Sequence, residues 1–314
     1  MQTNIIQIAG VKNETEVRLL LEKGVNFIGY PLRLAVNQED ICEEEARHII
    51  ENTRSAAQSV LITYLDRAKE VMDICDFLRV KIVQLHGEIP ISEMKKIKQC
   101  RPDIQIIKSL VVGKYSLDEL ERLLHYSYPF VDYYITDTYN PMTGAEGATG
   151  LVHDWQISRE IVRVSPRPVI LAGGLNPPNV IDAIKLVRPA GVDVHTGVED
   201  AQGNKQKDLV EEFVNHARCA FQELIDLPPE TFSLGDTLDL HTFQPREVKN
   251  LVHDFISDCL EKGITEVRFI HGKGKGVLRD IVHSELEKDK RVLTYKLAHD
   301  RFSSWGATVA VLVK

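Results

Sequence analysis

Three things are scarce in this 314-residue sequence: paired cysteines, long apolar runs and an excess of positive charge. The five cysteines, Cys42, Cys75, Cys100, Cys219 and Cys259, are odd in number, widely spaced and include no CxxC pair. That pattern argues against a disulfide framework or a zinc knuckle, and for thiols kept reduced. No apolar stretch approaches the roughly 20 residues of a membrane span, and no basic segment followed by an apolar run opens the sequence. The expectation is a soluble, cytoplasmic protein with no membrane partner. A net charge of −8 argues against a broadly nucleic-acid-binding surface. The acidity is uneven, because residues 231–314 hold 13 Lys+Arg against 12 Asp+Glu and the remainder carries −9. A local basic patch therefore stays open in the last quarter of the chain. No dinucleotide fingerprint follows the first apolar run, and nothing in the sequence calls for a cofactor or a metal ion.

What is present is a globular composition, 43% hydrophobic and 27% charged, in a chain long enough for one large domain and one small one. Short apolar runs alternate with stretches of helical period. The runs are 5–9, 27–30, 59–63, 81–85, 104–108, 131–136, 169–172 and 191–194. The helices expected between and after them are 14–23, 39–52, 68–77, 91–99, 117–125, 155–164, 177–187 and 207–224. Strict alternation implies a parallel sheet, and eight repeats favour a closed (β/α)8 TIM barrel over an open sheet. The predicted domains are a barrel over 1–225, a linker over 226–235 and a small α/β sandwich over 236–314.

In such a barrel the chemistry sits at the C-terminal strand ends. The stretch Leu171 to Glu199 organises the reading, with Gly173-Gly174 after one strand and Thr196-Gly197 after the next. Glycine turns there let backbone N–H groups approach phosphate oxygens, although each pair could equally just close a tight turn. Side chains alternate along a strand, so Gln84 shares a face with His86, Ile135 with Asp137 and Asp193 with His195. The long connection from Thr138 to Asp154 is either a lid over these groups or a surface insertion.

Several segments carry a family resemblance: VQLHGE at 83–88, TDT at 136–138, GATG at 147–150 with His153-Asp154-Trp155, AGGLNP at 172–177, and GVDV at 191–194 with Gly197-Val198-Glu199. Together, over about residues 3 to 221, they resemble phosphoribosylanthranilate isomerase. The resemblance implies an Amadori rearrangement in tryptophan biosynthesis, in which an acid protonates the ribose ring oxygen and a base removes the proton at C2′. Asp137 matches the family's acid. The family's base cysteine is replaced by Ala9 in Gln7-Ile8-Ala9-Gly10, its lysine by Gln7, and its paired serines by His195-Thr196. Arg33 matches a substrate-binding arginine across a shortened loop. His195, with an unperturbed pKa near neutrality, is either a replacement base, a further phosphate donor or a structural residue. The ligand site is expected to hold Arg33, Gln84, His86, Gly173, Gly174, Asp193, Thr196 and Gly197 around a phosphorylated ribose-type small molecule.

Beyond the prolines of Asp226-Leu227-Pro228-Pro229, the segments Leu238-Asp239-Leu240-His241-Thr242, His271-Gly272-Lys273-Gly274 and Ser304-Trp305-Gly306-Ala307-Thr308 resemble the small MutS-related (Smr) domain over 236–314. That resemblance implies nucleic-acid binding and, in several members, endonuclease activity. The spacing Asp-x-His places Asp239 and His241 on one face of a strand, where a carboxylate can orient an imidazole for acid–base work on a phosphodiester, though such pairs also serve as structural hydrogen bonds. His271, Gly272, Lys273, Gly274 and Lys275 would hold phosphate of RNA or DNA. Two readings follow. Either the barrel is an isomerase with Asp137 as acid and His195 or water in place of the base, or it is a non-catalytic recognition module and the Smr domain supplies the activity.

Overall fold

The apolar runs of the first 226 residues become strands of one sheet that closes on itself. The structure is a computed structural model describing residues 4–34, 39–53, 57–139, 152–226, 237–240, 243, 245–272, 276–297 and 306–313. The strands are β1 (Ile5–Ala9), β2 (Phe27–Pro31), β3 (Gln58–Thr63), β4 (Ile82–Leu85), β5 (Gln105–Val112), β6 (Tyr133–Thr138), β7 (Val169–Leu171) and β8 (Gly191–Val194). Helices α1 (Glu14–Glu22), α2 (Glu43–Thr53), α3 (Ala68–Leu78), α4 (Ile91–Cys100), α5 (Leu117–Ser127), α6 (Trp155–Val164), α7 (Val180–Val187) and α8 (Lys207–Asp226) follow them in turn. Every strand pairing is parallel, and β1 closes against β8 with Ile5 opposite Gly191 and Gln7 opposite Asp193. The expected TIM-type barrel is the observed one.

Strands buried on both faces need apolar residues on both, which is why β1 reads as a run rather than an alternation. Ile6 and Ile8 face outward into the layer holding Val17 and Leu20, while Ile5 and Ala9 join Phe27, Val60, Ile82, Tyr133, Ile135 and Ile170 inside the ring. Helix starts are set by local hydrogen bonds. Asn13 caps α1 by accepting from the Glu16 amide, and Ser116 and Glu119 form a reciprocal capping box on α5. Glu16 also accepts from the amides of Lys12 at 2.7 Å and Lys205 at 3.1 Å, tying the loop after β1 to the loop after β8.

Some boundaries move. Helix α2 begins at Glu43 rather than residue 39, where Glu45 accepts from the Cys42 amide. Helix α7 begins at Val180 rather than 177, because Asn176 and Asn179 exchange side-chain and amide bonds across the two prolines and hold them in a turn. Strand β5 runs on to Val112, since its pairing with β6 continues from Ile107–Tyr133 to Val112–Thr138. Of the connection expected as a lid, residues 140–151, with Gly147 to Gly150, lie outside the described residues.

The chain divides into two compact units, Met1–Asp226 and Leu227–Lys314. Helix α8 reaches Asp226, and the rest of the predicted linker lies outside the described residues. The second unit runs β9 (Thr237–Asp239), α9 (Pro245–Glu261), β10 (Glu266–Ile270), α10 (Val277–Lys288), β11 (Val292–Leu297) and β12 (Ala307–Leu312). Its sheet has the order β11-β12-β10-β9, with β9 and β10 parallel and the other pairs antiparallel. Val248, Val252, Phe255 and Ile256 of α9 and Val282 and Leu286 of α10 share its core with Phe269. No helix among the described residues is long and apolar enough to cross a membrane.

Phe213 and Phe269 are each fully buried, one in each unit's core. Truncating either to alanine is expected to cost about 3–5 kcal/mol in urea unfolding. A loss below about 1 kcal/mol would contradict that side chain's place in its core.

Candidate active site

At its C-terminal end the barrel interior turns polar. Gln7 on β1, Gln84 on β4, Asp137 on β6 and Asp193 on β8 are all buried, among apolar neighbours lower in the ring. Gln7 Nε2 donates to Gln84 Oε1 at 2.9 Å. Gln7 Oε1 and Asp193 Oδ1 have no donor among the described residues, although both are sealed from solvent. Asp137 Oδ1 accepts from the Thr138 amide at 2.7 Å, and its Oδ2 lies 3.8 Å from His86 Nε2. His86 is itself held by Ser109 Oγ at 2.9 Å from Nδ1 and by the edge of Tyr64.

Water is the best solvent for a carboxylate, and its removal favours the neutral acid. Burial pushes the Asp137 carboxyl up to about 7. Asp193 is also pushed up to about 7, by burial first and then by the negative charge of Asp137. The ring thus holds two carboxyls whose protonated forms are both favoured by burial.

The two glycine turns meet beside them. Gly173 has φ of +95°, and a Cβ there would lie 2.2 Å from Thr138 Oγ1 and 2.9 Å from His153 Nδ1, so no other residue fits. Those two atoms are hydrogen-bonded to each other at 2.8 Å, and His153 Nε2 continues to Ser158 Oγ at 2.6 Å. A Cβ on Gly197 would meet the Leu175 carbonyl oxygen at 2.0 Å, which brings the turn after β8 against the turn after β7. No acceptor among the described residues takes the amide hydrogens of Gly173, Gly174, Thr196 or Gly197.

His195 lies against β1, its Nε2 only 1.9 Å from where a Cβ on Gly10 would stand, next to Ala9. The same nitrogen is 3.4 Å from Glu199 Oε1 and 3.8 Å from Asp40 Oδ2. Below it Lys205 Nζ donates to Glu199 Oε1 at 2.6 Å and to the His195 carbonyl at 3.2 Å. Burial, then the ammonium groups of Lys205 and Lys12, push the imidazole down from its unperturbed value to about 3. Asp40 and Lys205 escape a motif-based reading of the site, because they come from two loops that only the closed ring brings together. Arg33 is not brought to this group by any contact described; its guanidinium pairs with Glu43, Nε to Oε1 at 2.7 Å. It adopts φ of +52°.

In the second unit, Asp239 lies at the end of β9 beside Ile270 on β10, one residue before His271. His271 is buried and bonded through Nε2 to Thr308 Oγ1 at 2.9 Å. His241, Lys273, Gly274 and Lys275 lie outside the described residues.

The family model for N-(5′-phosphoribosyl)anthranilate isomerase matches residues 4–216. The chain belongs to that family. Residues 238–313 match the Smr domain. N-(5′-phosphoribosyl)anthranilate isomerase 2 of Methanosarcina mazei is 35% identical over 230 residues, 72% of this chain and 99% of that protein. The Thermotoga petrophila isomerase is 32% identical, over 68% of this chain and 98% of its own. Among solved structures, that of the Thermotoga maritima isomerase aligns with 30% identity and a TM-score of 0.59, covering 69% of this chain and 99% of that one. Another, a phosphoribosyl anthranilate isomerase in complex with reduced 1-(o-carboxyphenylamino)-1-deoxyribulose 5-phosphate, aligns with 28% identity and a TM-score of 0.57. This isomerase-family barrel is therefore followed by an Smr domain in one chain, as its motifs imply.

A carboxyl whose pKa is raised by folding binds more protons in the folded state, so its burial costs stability as pH rises from the unfolded value towards the folded one. With Asp193 at about 7, Asp193→Asn is expected to raise the barrel's melting temperature at about pH 8 and to lose that advantage by about pH 4. An equal effect at both pH values would show that the carboxyl titrates normally.

Proposed function

We propose that the barrel binds a phosphorylated ribose-type ligand and carries out an Amadori aldose–ketose isomerisation on it, with Asp137 as acid and Asp193 as base. The observation that carries this reading is the pair of buried inner-face carboxyls, each pushed up to about 7. Ring opening needs a proton delivered to the ring oxygen, and the Amadori step needs one removed from carbon, so the two groups must sit in opposite protonation states near the working pH. Asp137 stands at the family's acid position. Ala9 has no proton to exchange, and His195, neutral with its pKa at about 3, is a weak acceptor. Asp193 sits on the strand next to β1, faces the same interior, and has an oxygen with no donor among the described residues. The phosphate seat is supported by the four amides at the ends of β7 and β8 that have no acceptor among the described residues, where barrels of this kind commonly bind phosphate. The phosphorylated sugar derivative held by the solved relative belongs to the same ligand class. For the Smr domain the reading is nucleic-acid binding, with cleavage assigned to Asp239 and His241.

Ala9 specifically favours a second reading, a barrel that binds its ligand without turnover. The deciding experiment is turnover of phosphoribosylanthranilate by the full chain, followed by anthranilate fluorescence. The isomerase reading expects activity in the unmodified protein with a bell-shaped pH profile. Loss of the Asp193 carboxylate falls on the acid side of about 7, and loss of the Asp137 proton on the alkaline side. Asp193→Asn should lower kcat by at least about 100-fold, the usual scale for removing a general base. Turnover only after Ala9→Cys would establish the second reading.

A further inference from the structure

The Smr domain carries a chain of hydrogen bonds whose direction follows from the chemistry of its atoms. His283 on α10 and His271 after β10 both approach the hydroxyl of Thr308 on β12, with Nε2 to Oγ1 distances of 2.8 and 2.9 Å. Thr308 is fully buried, and the two imidazoles stand edge to face with centroids 6.2 Å apart. His271 Nδ1 lies 3.3 Å from the Gly272 carbonyl oxygen. Tyr295 on β11 packs against His283 with centroids 5.0 Å apart.

A carbonyl oxygen only accepts, so the bond to Gly272 requires the proton of His271 to be on Nδ1. Nε2 of a neutral His271 is then an acceptor, and the one hydrogen of Thr308 goes to it. The Thr308 oxygen is left to accept, which requires the proton of His283 to be on Nε2. With both imidazoles neutral the chain runs His283 to Thr308 to His271 to Gly272, and reversing a link then leaves two acceptors or two donors facing each other. The amides of His271 and Gly272 both donate to the Gly306 oxygen at 2.9 Å, which holds the backbone of this turn in place.

We propose that His283 is a positioning residue that, through Thr308, fixes His271 as the Nδ1–H tautomer, so that His271 meets a nucleic-acid phosphate as a hydrogen-bond donor. The assignment rests on the nucleic-acid reading of the Smr domain and goes beyond it in separating roles. His271 Nε2 is committed to Thr308 and buried, so His271 is not the proton acceptor in cleavage, and the Nδ1 hydrogen is the one offered to a phosphate oxygen. The histidine that orders it lies on a different helix and outside the motifs by which the domain is known in the sequence.

The test reads tautomer and binding separately on the full chain. Heteronuclear NMR of isotope-labelled imidazole nitrogens should show His271 as Nδ1–H in the unmodified protein and in Thr308→Ser. Thr308→Val and His283→Phe should give a mixture of tautomers, with circular dichroism showing that both variants fold. Anisotropy of a fluorescein-labelled single-stranded RNA should then report binding weakened by about 5- to 10-fold in Thr308→Val and His283→Phe, and retained in Thr308→Ser. An Nε2–H His271 in the unmodified protein, or a tautomer indifferent to both substitutions, overturns the positioning role. The expected tautomers with equal RNA affinity in every variant overturn the phosphate contact. Failure of the unmodified protein to bind RNA or a DNA strand of the same sequence defeats the nucleic-acid reading itself, and with it the contact.

Discussion

Closing eight parallel strands into a ring excludes water from whatever side chains point inward, and the electrostatics of the barrel's inner groups depends on that exclusion. At the lower levels the inward residues are Ile5, Phe27, Val60 and Ile82, which lose nothing by it. At the C-terminal level they are Gln7, Gln84, Asp137 and Asp193, which do. An amide pair can satisfy itself, as Gln7 and Gln84 partly do at 2.9 Å. A carboxyl cannot stay ionised at no cost, so Asp137 and Asp193 are both held up to about 7.

The departures from the isomerase pattern on β1 bear directly on this pair. Gln7 stands opposite Asp193 in the β1–β8 register, where the family has a lysine. An ammonium there would hold a neighbouring carboxylate ionised, whereas an amide leaves burial to dominate. Ala9 removes the thiol two residues further on, and His195 lies over the adjacent Gly10. Beneath that histidine the side chain of Lys205 is fully enclosed and bonded to Glu199, a buried ion pair whose lysine lowers the pKa of the imidazole above it.

The Smr domain handles buried polarity differently. It satisfies its inner groups with a directed chain through Thr308 instead of leaving acceptors open, and on its flank Arg291 meets Asp289 at 2.6 Å and Ser257 at 2.6 Å. Asp289 is lowered to about 2, chiefly by that guanidinium, the opposite of the barrel carboxyls, because it is paired before it is buried. One chain thus holds carboxyls poised near neutrality in one unit and fully committed charges in the other.

The order of strands and helices is legible in the sequence because a strand buried on both faces must be an apolar run and a surface helix must be amphipathic, and neither requirement depends on distant residues. Glycine turns are legible for the same reason: Gly173 is demanded by its own backbone angle and its close neighbours. Asp137 and Asp193 are visible as polar residues at strand ends, where alternation turns them inward. The protonation of these groups is not, since burial sets it, joined for Asp193 by the charge of Asp137 more than fifty residues away. Nor are Asp40 and Lys205 around His195, the capture of Arg33 by Glu43, or the link from His283 to His271 through Thr308. Local covalent and steric demands determined the architecture from the sequence alone. The electrostatics of the sites was decided only by the tertiary structure, because solvent exclusion and long-range pairing exist only once the ring and the sheet have formed.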